Sequence, residues 1–314
     1  MSGFLSYYRG AHTADKAYNF MRFSIPSLLL SLALIFTFTG VYLYRYYARG
    51  QAFNYSVEFT GGIQTLLQIN KPVRGENLIN ILETNGWPGA QTRQFSSNEF
   101  LVRVKQENAD VSAEAENIRE TLEKKLGQDY TVKIKQTDSI GSATGSRLWS
   151  TSFYAILVSL ILMLLYIAIR FLAISYAAGA VISLFHDALA ILTVFLLFDK
   201  EISINVIGAI LAVLGYSIND TIVIFARIRE NVSRLPNTSM RDIINISITE
   251  TLSRTILTTF ATLLVVISLF IFGGETLRDL SLALLVGIIF GIYSTIFIAT
   301  PVLLWFYPDR QKSA

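Results

Sequence analysis

Apolar residues fall into six long blocks along this chain, separated by short polar joints and by one longer polar stretch after the first block. A helix needs about 20 mostly apolar residues to cross a bilayer core of roughly 30 Å. Six segments reach that length: Phe23–Tyr44, Trp149–Ile169, Ile174–Phe198, Ile202–Phe225, Thr255–Phe272 and Leu280–Tyr307. Only the first is placed to be a signal peptide. Its apolar stretch is too long for an h-region and no small-x-small cleavage site follows, so it is expected to stay as an anchor. Tyr42, Tyr44, Tyr46 and Tyr47 at its far end fit an interfacial aromatic belt.

Between the first two blocks, Arg45–Arg147 changes character: charges rise and the periods shorten. Leu66–Ile69 reads as a strand and Arg74–Asn85 as a short helix. Ala90–Phe95 and Phe100–Lys105 read as a hairpin around Ser96-Ser97-Asn98. Asp110–Leu126 is an amphipathic helix with Val111, Ala115, Ile118, Leu122 and Leu126 on one face. Its acidic first turns and Lys124, Lys125 at the end suit the macrodipole. Tyr130–Lys135 closes the stretch as a strand. The order βαββαβ predicts a small α+β ferredoxin-like domain, which by itself implies no activity. No catalytic cluster stands out in it, so a contact or lever module is expected rather than an enzyme. Phe59-Thr60-Gly61-Gly62 follows a predicted strand at the entrance; the adjacent glycines permit positive φ, either as a plain turn or as a hinge at the base of the domain.

Composition agrees with the membrane reading. Hydrophobic residues make up 52% of the 314 and charged residues 16%, against about 25% charged in soluble domains; mean hydropathy is +0.48. The net charge of +3 lies mostly in short loops and reads as topology rather than as a nucleic-acid patch. With the N-terminus inside, the inner side holds ten basic residues, Arg9, Lys16, Arg22, Arg170, Arg227, Arg229, Arg234, Arg241, Arg310 and Lys312, against Lys200 and Arg278 outside. The positive-inside rule then puts both termini in the cytoplasm and Arg45–Arg147 outside. There is no cysteine, which excludes disulfides and thiol chemistry. No Walker A, HExxH or GxSxG motif occurs, so no cofactor, metal or nucleotide hydrolysis is expected.

The remaining information is in polar groups that an apolar helix should lack. A charge at helix centre costs about 2.5–3.5 kcal/mol on insertion scales. In the fourth block Gly215-Tyr216-Ser217-Ile218-Asn219-Asp220-Thr221 interrupts Ile, Leu and Val. Asp220 lies about 10 Å of helix rise from the inner boundary at Arg227, with the hydroxyls of Tyr216 and Ser217 expected on its face. A carboxyl there could load and release protons; the bland alternative is a permanent salt bridge or helix contact. In the fifth block Arg254 is followed by Thr258 and Thr262, which reads as a hydrated stripe. The two helices run in opposite directions, so Asp220 and Arg254 can lie at one depth and pair, although Arg254 could equally be a snorkelling boundary residue. His186 and Asp187 fall near the middle of the third block, as a proton relay or as packed helix contacts. Gly287 and Gly291 form a GxxxG packing signature in the last block.

At these residues the chain resembles the SecD/SecF family of protein-export membrane subunits, on the SecF side. The resemblance rests on Val57-Glu58-Phe59-Thr60-Gly61-Gly62, on Tyr216–Thr221 through Arg227-Ile228-Arg229-Glu230-Asn231, on Ser253-Arg254-Thr255 and on Gly273–Asp279, with Leu184-Phe185-His186-Asp187 and Leu165–Phe171 fitting the same pattern. It implies a proton-driven machine related to the resistance-nodulation-division exporters, with six transmembrane helices (one plus five). A transmembrane aspartate and arginine of the family, matched here by Asp220 and Arg254, take part in proton passage. It also implies a SecD-like partner, the Sec translocation channel and exported preproteins as partners, and the bacterial plasma (inner) membrane as location. Two departures stand out: Ala226 replaces a frequent Asp, and Gly141–Arg147 lacks the usual proline and acidic residue.

The reading is therefore an α-helical polytopic membrane protein, with a cytoplasmic tail 1–22, a first helix 23–44, an extracytoplasmic ferredoxin-like domain 45–147, five helices within 148–307 and a cytoplasmic tail 308–314. Its expected role is proton-motive-force-driven promotion of late preprotein translocation, with Asp220 and Arg254 as proton site, His186 and Asp187 as further candidates, Phe59–Gly62 as hinge or base, and Gly287 and Gly291 in packing. Two alternatives remain: half of a small-molecule proton-driven exporter, or a non-transducing scaffold of the export complex.

Overall fold

The computed structural model describes residues 17–94, 96–105 and 110–307. The charged tail positions Arg9, Lys16, Arg310 and Lys312, and Phe95 at the end of an expected strand, lie outside the described residues. Among the described residues, six helices are long and apolar enough to cross a membrane: Phe20–Arg49, Thr144–Phe171, Ile174–Leu197, Ile204–Arg234, Met240–Phe272 and Leu277–Phe306. They are called the first to sixth spans below. The chain is a multi-pass membrane protein with one span before its sheet region and five after it.

Several spans run past their apolar blocks because polar residues at their ends find partners. The first helix continues to Arg49, where Gly50 at φ 74° accepts the left-handed cap and returns its N–H to the Tyr46 carbonyl. The fifth begins at Met240 rather than Thr255, capped by the Ser239 side chain on the Asp242 N–H.

Contacts divide the chain into two units, Tyr55–Tyr154 with Ile202–Ile204, and the remainder. In the membrane unit the third, fourth and sixth spans are at least half buried, whereas the first, second and fifth expose most of their apolar surface. Small residues let the inner three approach. A Cβ on Gly179 of the third span would lie 2.5 Å from the Ala299 carbonyl oxygen of the sixth. At Ala299 ends a π-helical turn, Thr295–Ala299.

The other unit is a four-stranded antiparallel sheet in the order Gln91–Gln94, Glu99–Val104, Gly62–Ile69, Val132–Ile140, with helices Gly75–Thr84 and Val111–Leu126. This is the ferredoxin-like arrangement. Ile63, Leu67, Phe100, Val102, Leu78 and Ile118 are among its core residues. Register supports that core, since Leu67 faces Phe100 and Thr65 faces Val102. Two expectations need correction. The segment before Gly61 is not a strand but a helical turn, Val57–Thr60. The last strand runs to Ile140, past Lys135. There Leu67 pairs with Ile134 but Leu66 with Gln136, so Lys135 is a bulged extra residue. A bulge inverts the in–out alternation, and the residues from Lys135 to Ser139 are polar in either phase, so no apolar pattern marks the strand past Ile134.

Candidate functional site

One cluster of buried polar side chains in the membrane unit lies among the third, fourth and sixth spans. Asp187 is completely buried, and its Oδ2 accepts a 2.6 Å hydrogen bond from the Ser217 hydroxyl. Ser217 thus serves the third span rather than sharing Asp220's face freely, as its spacing suggests. Tyr216 donates to Thr259 of the fifth span at 3.3 Å. His186 is 6% exposed, its Nδ1 3.7 Å from Asp187 Oδ1, and its ring packs beside Phe290 and Tyr293. The hydroxyls of Ser183 and Thr193 bond carbonyls of their own helix and leave the imidazole unserved.

The sixth span is fitted to the fourth one turn at a time. A Cβ on Gly287 would meet Val213, one on Gly291 would meet Ser217 at 3.3 Å, and the Thr295 hydroxyl lies 3.0 Å from that of Thr221. The GxxxG signature therefore marks a real close approach, in steps of four on both helices. Thr295 also opens the π turn, a local widening that often accompanies functional positions.

Asp220 sits on this fourth helix at 6% exposure. Among the described residues its carboxyl makes no hydrogen bond or ion pair. The antiparallel contact of Tyr216 with Thr259 puts Asp220, one turn on, level with Thr255 and its neighbour Arg254; the buried Thr255 hydroxyl has no partner among the described residues. Arg254 is exposed on the fifth span. The hydroxyls of Thr258 and Thr262 donate to carbonyls four residues back.

Sequence reasoning missed a second network. Glu250, in the polar extension of the fifth span, receives Arg227 Nε at 2.6 Å, Asn231 Nδ2 at 2.8 Å and Arg234 at 3.2 Å, while Asn231 also donates to Ser247. The only available signal was Glu250 in an otherwise apolar and hydroxylic stretch, with the basic residues one helix earlier. Outside the spans, Asp199 (φ 51°) follows the third helix and is bonded by Arg45 and Arg49. Partial burial opposes its charged form, but the two guanidinium groups outweigh burial and hold its carboxyl below the usual range.

In the sheet unit, Phe59–Gly62 forms a pinned junction. Phe59 packs edge-on against Trp149, and a Cβ on Gly145 would lie 2.8 Å from the Phe59 carbonyl oxygen. Gly61 and Gly62 have φ of 73° and 113°. Arg103, buried in the sheet, donates to the Tyr55 carbonyl at 3.1 Å. The Glu58 carboxylate accepts at 2.6 Å from the N–H of Ile204, the first residue of the helix that carries Asp220. An acid at that position complements the helix dipole.

Comparison with known proteins was made against this geometry. Residues 119–309 match the family "Protein export membrane protein SecD/SecF, C-terminal". The protein translocase subunit SecF of Thermodesulfovibrio yellowstonii is 36% identical over 283 residues, covering 88% of this chain and 91% of that one. SecF of Vibrio alginolyticus is 37% identical, covering 91% and 89%. Among solved structures, the crystal structure of SecDF from Thermus thermophilus, titled a translocon-associated membrane protein, superposes with a TM-score of 0.81 at 34% identity, over 93% of this chain. The chain spans 39% of that longer protein.

Proposed function

The chain belongs to the SecD/SecF family of protein export membrane proteins, and from that premise we propose that it is the SecF-type subunit of an export complex, coupling proton flow to late steps of preprotein translocation. Asp220 is the group that takes up and releases the proton, and Arg254 is its electrostatic partner. The observation that carries this reading is the Asp220 carboxyl itself: a buried acid midway along a membrane helix, facing the span that carries Arg254 and, among the described residues, fixed by no hydrogen bond. A permanent structural salt bridge would hold the two in contact, whereas a group that must exchange protons needs freedom to gain and lose its charge.

Six spans make half of such a machine. The SecDF protein carries a matching region in a chain more than twice as long, which supports a SecD-like partner for the other half. That protein's description as translocon-associated supports the Sec channel as a further partner. Membership of the family supports the bacterial inner membrane, and the charge distribution supports both termini cytoplasmic and 45–147 outside. Phe59–Gly62 is then a hinge or base of the sheet unit.

The test is Asp220→Asn in vesicles containing the partner subunits, with export and its dependence on an imposed proton gradient followed after assembly is verified. Asparagine keeps the shape but cannot titrate. Loss of gradient-dependent export is expected; export with unchanged gradient dependence would make Asp220 structural and favour the scaffold reading.

A further inference from the structure

One buried titratable pair has no part in the Asp220–Arg254 reading. His186 and Asp187 lie in the third span at 6% and 0% exposure. Among the described residues, both imidazole nitrogens and Asp187 Oδ1 are buried without a hydrogen-bond partner. An unserved buried polar atom costs about 1–3 kcal/mol, and a carboxylate in apolar surroundings costs more unless it is paired. A helix contact alone needs none of this: two hydroxyls, or an asparagine, would join the helices at lower cost.

The two groups can hold one proton between them in either of two places. Nδ1 of His186 and Oδ1 of Asp187 are 3.7 Å apart, an ion-pair distance too long for a hydrogen bond, so a single proton on the pair gives either a neutral couple or an imidazolium facing its carboxylate. The pair stays net neutral in both forms. The other carboxylate oxygen is held by Ser217, one turn before Asp220 on the fourth helix. A hydroxyl both donates and accepts, so it can hand a proton to one neighbour while taking one from another. The other polar groups around the pair are few. The fourth span presents Ser217, with Asp220 one turn further on toward the fifth span. The Tyr293 hydroxyl of the sixth is committed to the Ser27 carbonyl and lies 3.2 Å from the Ser31 hydroxyl of the first. Arg254 lies on the fifth, beyond Asp220.

We propose that His186 and Asp187 form a second proton-binding station, which holds one shared proton and exchanges it with Asp220 through the Ser217 hydroxyl. Each transfer neutralises one carboxylate and ionises the other, so the charge of the cluster is conserved. Asp220 is the switch and the third span is its reservoir. This rests on the reading of Asp220 as the coupling group.

The experiment compares Asp187→Asn, His186→Gln, Ser217→Ala and Ser217→Thr with Asp220→Asn, each assembled with the partner subunits in vesicles. Gradient-dependent export is titrated against pH. Asp187→Asn is expected to lower it about tenfold or more, within what a positioned proton-transfer group contributes, and to move the midpoint of the pH profile by about one unit or more. Ser217→Ala should reproduce the fall and Ser217→Thr should restore most of it. If Asp220→Asn abolishes coupling while Asp187→Asn leaves rate and pH midpoint at the parent's values, the station is refuted and the pair is packing. If Asp220→Asn itself leaves coupling intact, the underlying reading falls first. Should Asp187→Asn fail to assemble, His186→Gln and Ser217→Ala decide, because both keep the carboxylate; unchanged pH profiles in both would overturn the proposal.

Discussion

Gly287→Ala tests whether the close fit of the sixth span to the fourth holds the site together. The added Cβ would lie 2.4 and 2.6 Å from the two γ-carbons of Val213 and 2.9 Å from Ile191 Cδ1. Carbon atoms in contact prefer about 3.5–4.0 Å, so a neighbour has to move by about 1 Å. Val213 cannot rotate clear, because a β-branched residue in a helix has one strongly favoured χ1. Overpacking of this kind costs about 1–3 kcal/mol, and two methyl groups and Ile191 in the way place this case near the upper end. Alanine's better helix propensity returns about 1 kcal/mol, leaving a net loss of about 2 kcal/mol. Thermal unfolding of the detergent-solubilised complex measures it, and Val213→Ala on the same background should recover most of the loss. Gly291→Ala, whose Cβ would stand 3.3 Å from Ser217, should cost much less. A Gly287→Ala protein as stable as the parent, or one that Val213→Ala cannot rescue, would refute the stepwise packing of these two helices.

Three further outcomes are expected. Glu250→Ala strips Arg227, Arg234 and Asn231 of a common acceptor and should destabilise the membrane unit by about 1–3 kcal/mol, read by thermal unfolding, with Glu250→Gln intermediate. Gly62→Ala combines φ 113° with a Cβ placed 2.5 Å from the Val104 carbonyl oxygen; faster amide exchange in Gly62–Ile69 should report strain of about 1–3 kcal/mol. Asp199 has a folded-state carboxyl held below its ordinary range by Arg45 and Arg49, so its contribution is full above the unfolded value, near pH 4, and fades as pH falls through the lower folded value. An acid titration of stability should show that loss in the parent and not in Asp199→Asn.

The six spans, the ferredoxin-like order and the positions of Asp220 and Arg254 are legible because each rests on a local signal: a long apolar run, a period, or a charge where none belongs. What stayed hidden depends on which helix faces which. The spacing of Ser217 and Asp220 says that they share a face, but not that Asp187 would claim the hydroxyl. Glu250 looks like a loop-side acid until the fifth helix is seen to begin at Met240, which brings it beside Arg227. The π turn at Thr295–Ala299 has no compositional mark at all. The strand past Lys135 carries no apolar period, because Lys135–Ser139 is polar on both faces and only its pairing with Gly62–Leu66 holds it in the sheet.

These hidden contacts share one geometric cause. Gly179, Gly287 and Gly291 remove side chains where the third, fourth and sixth helices meet, and the backbones come close enough there for short side chains to bond across. Asp187, Ser217, Thr221 and Thr295 are all short, and they bridge at 2.6 and 3.0 Å. Longer residues would reach lipid or solvent instead. The same close packing excludes water and so strengthens every charge interaction within it. Asp220 stands at the edge of this region, on the helix that carries both bridges but turned toward the exposed fifth span.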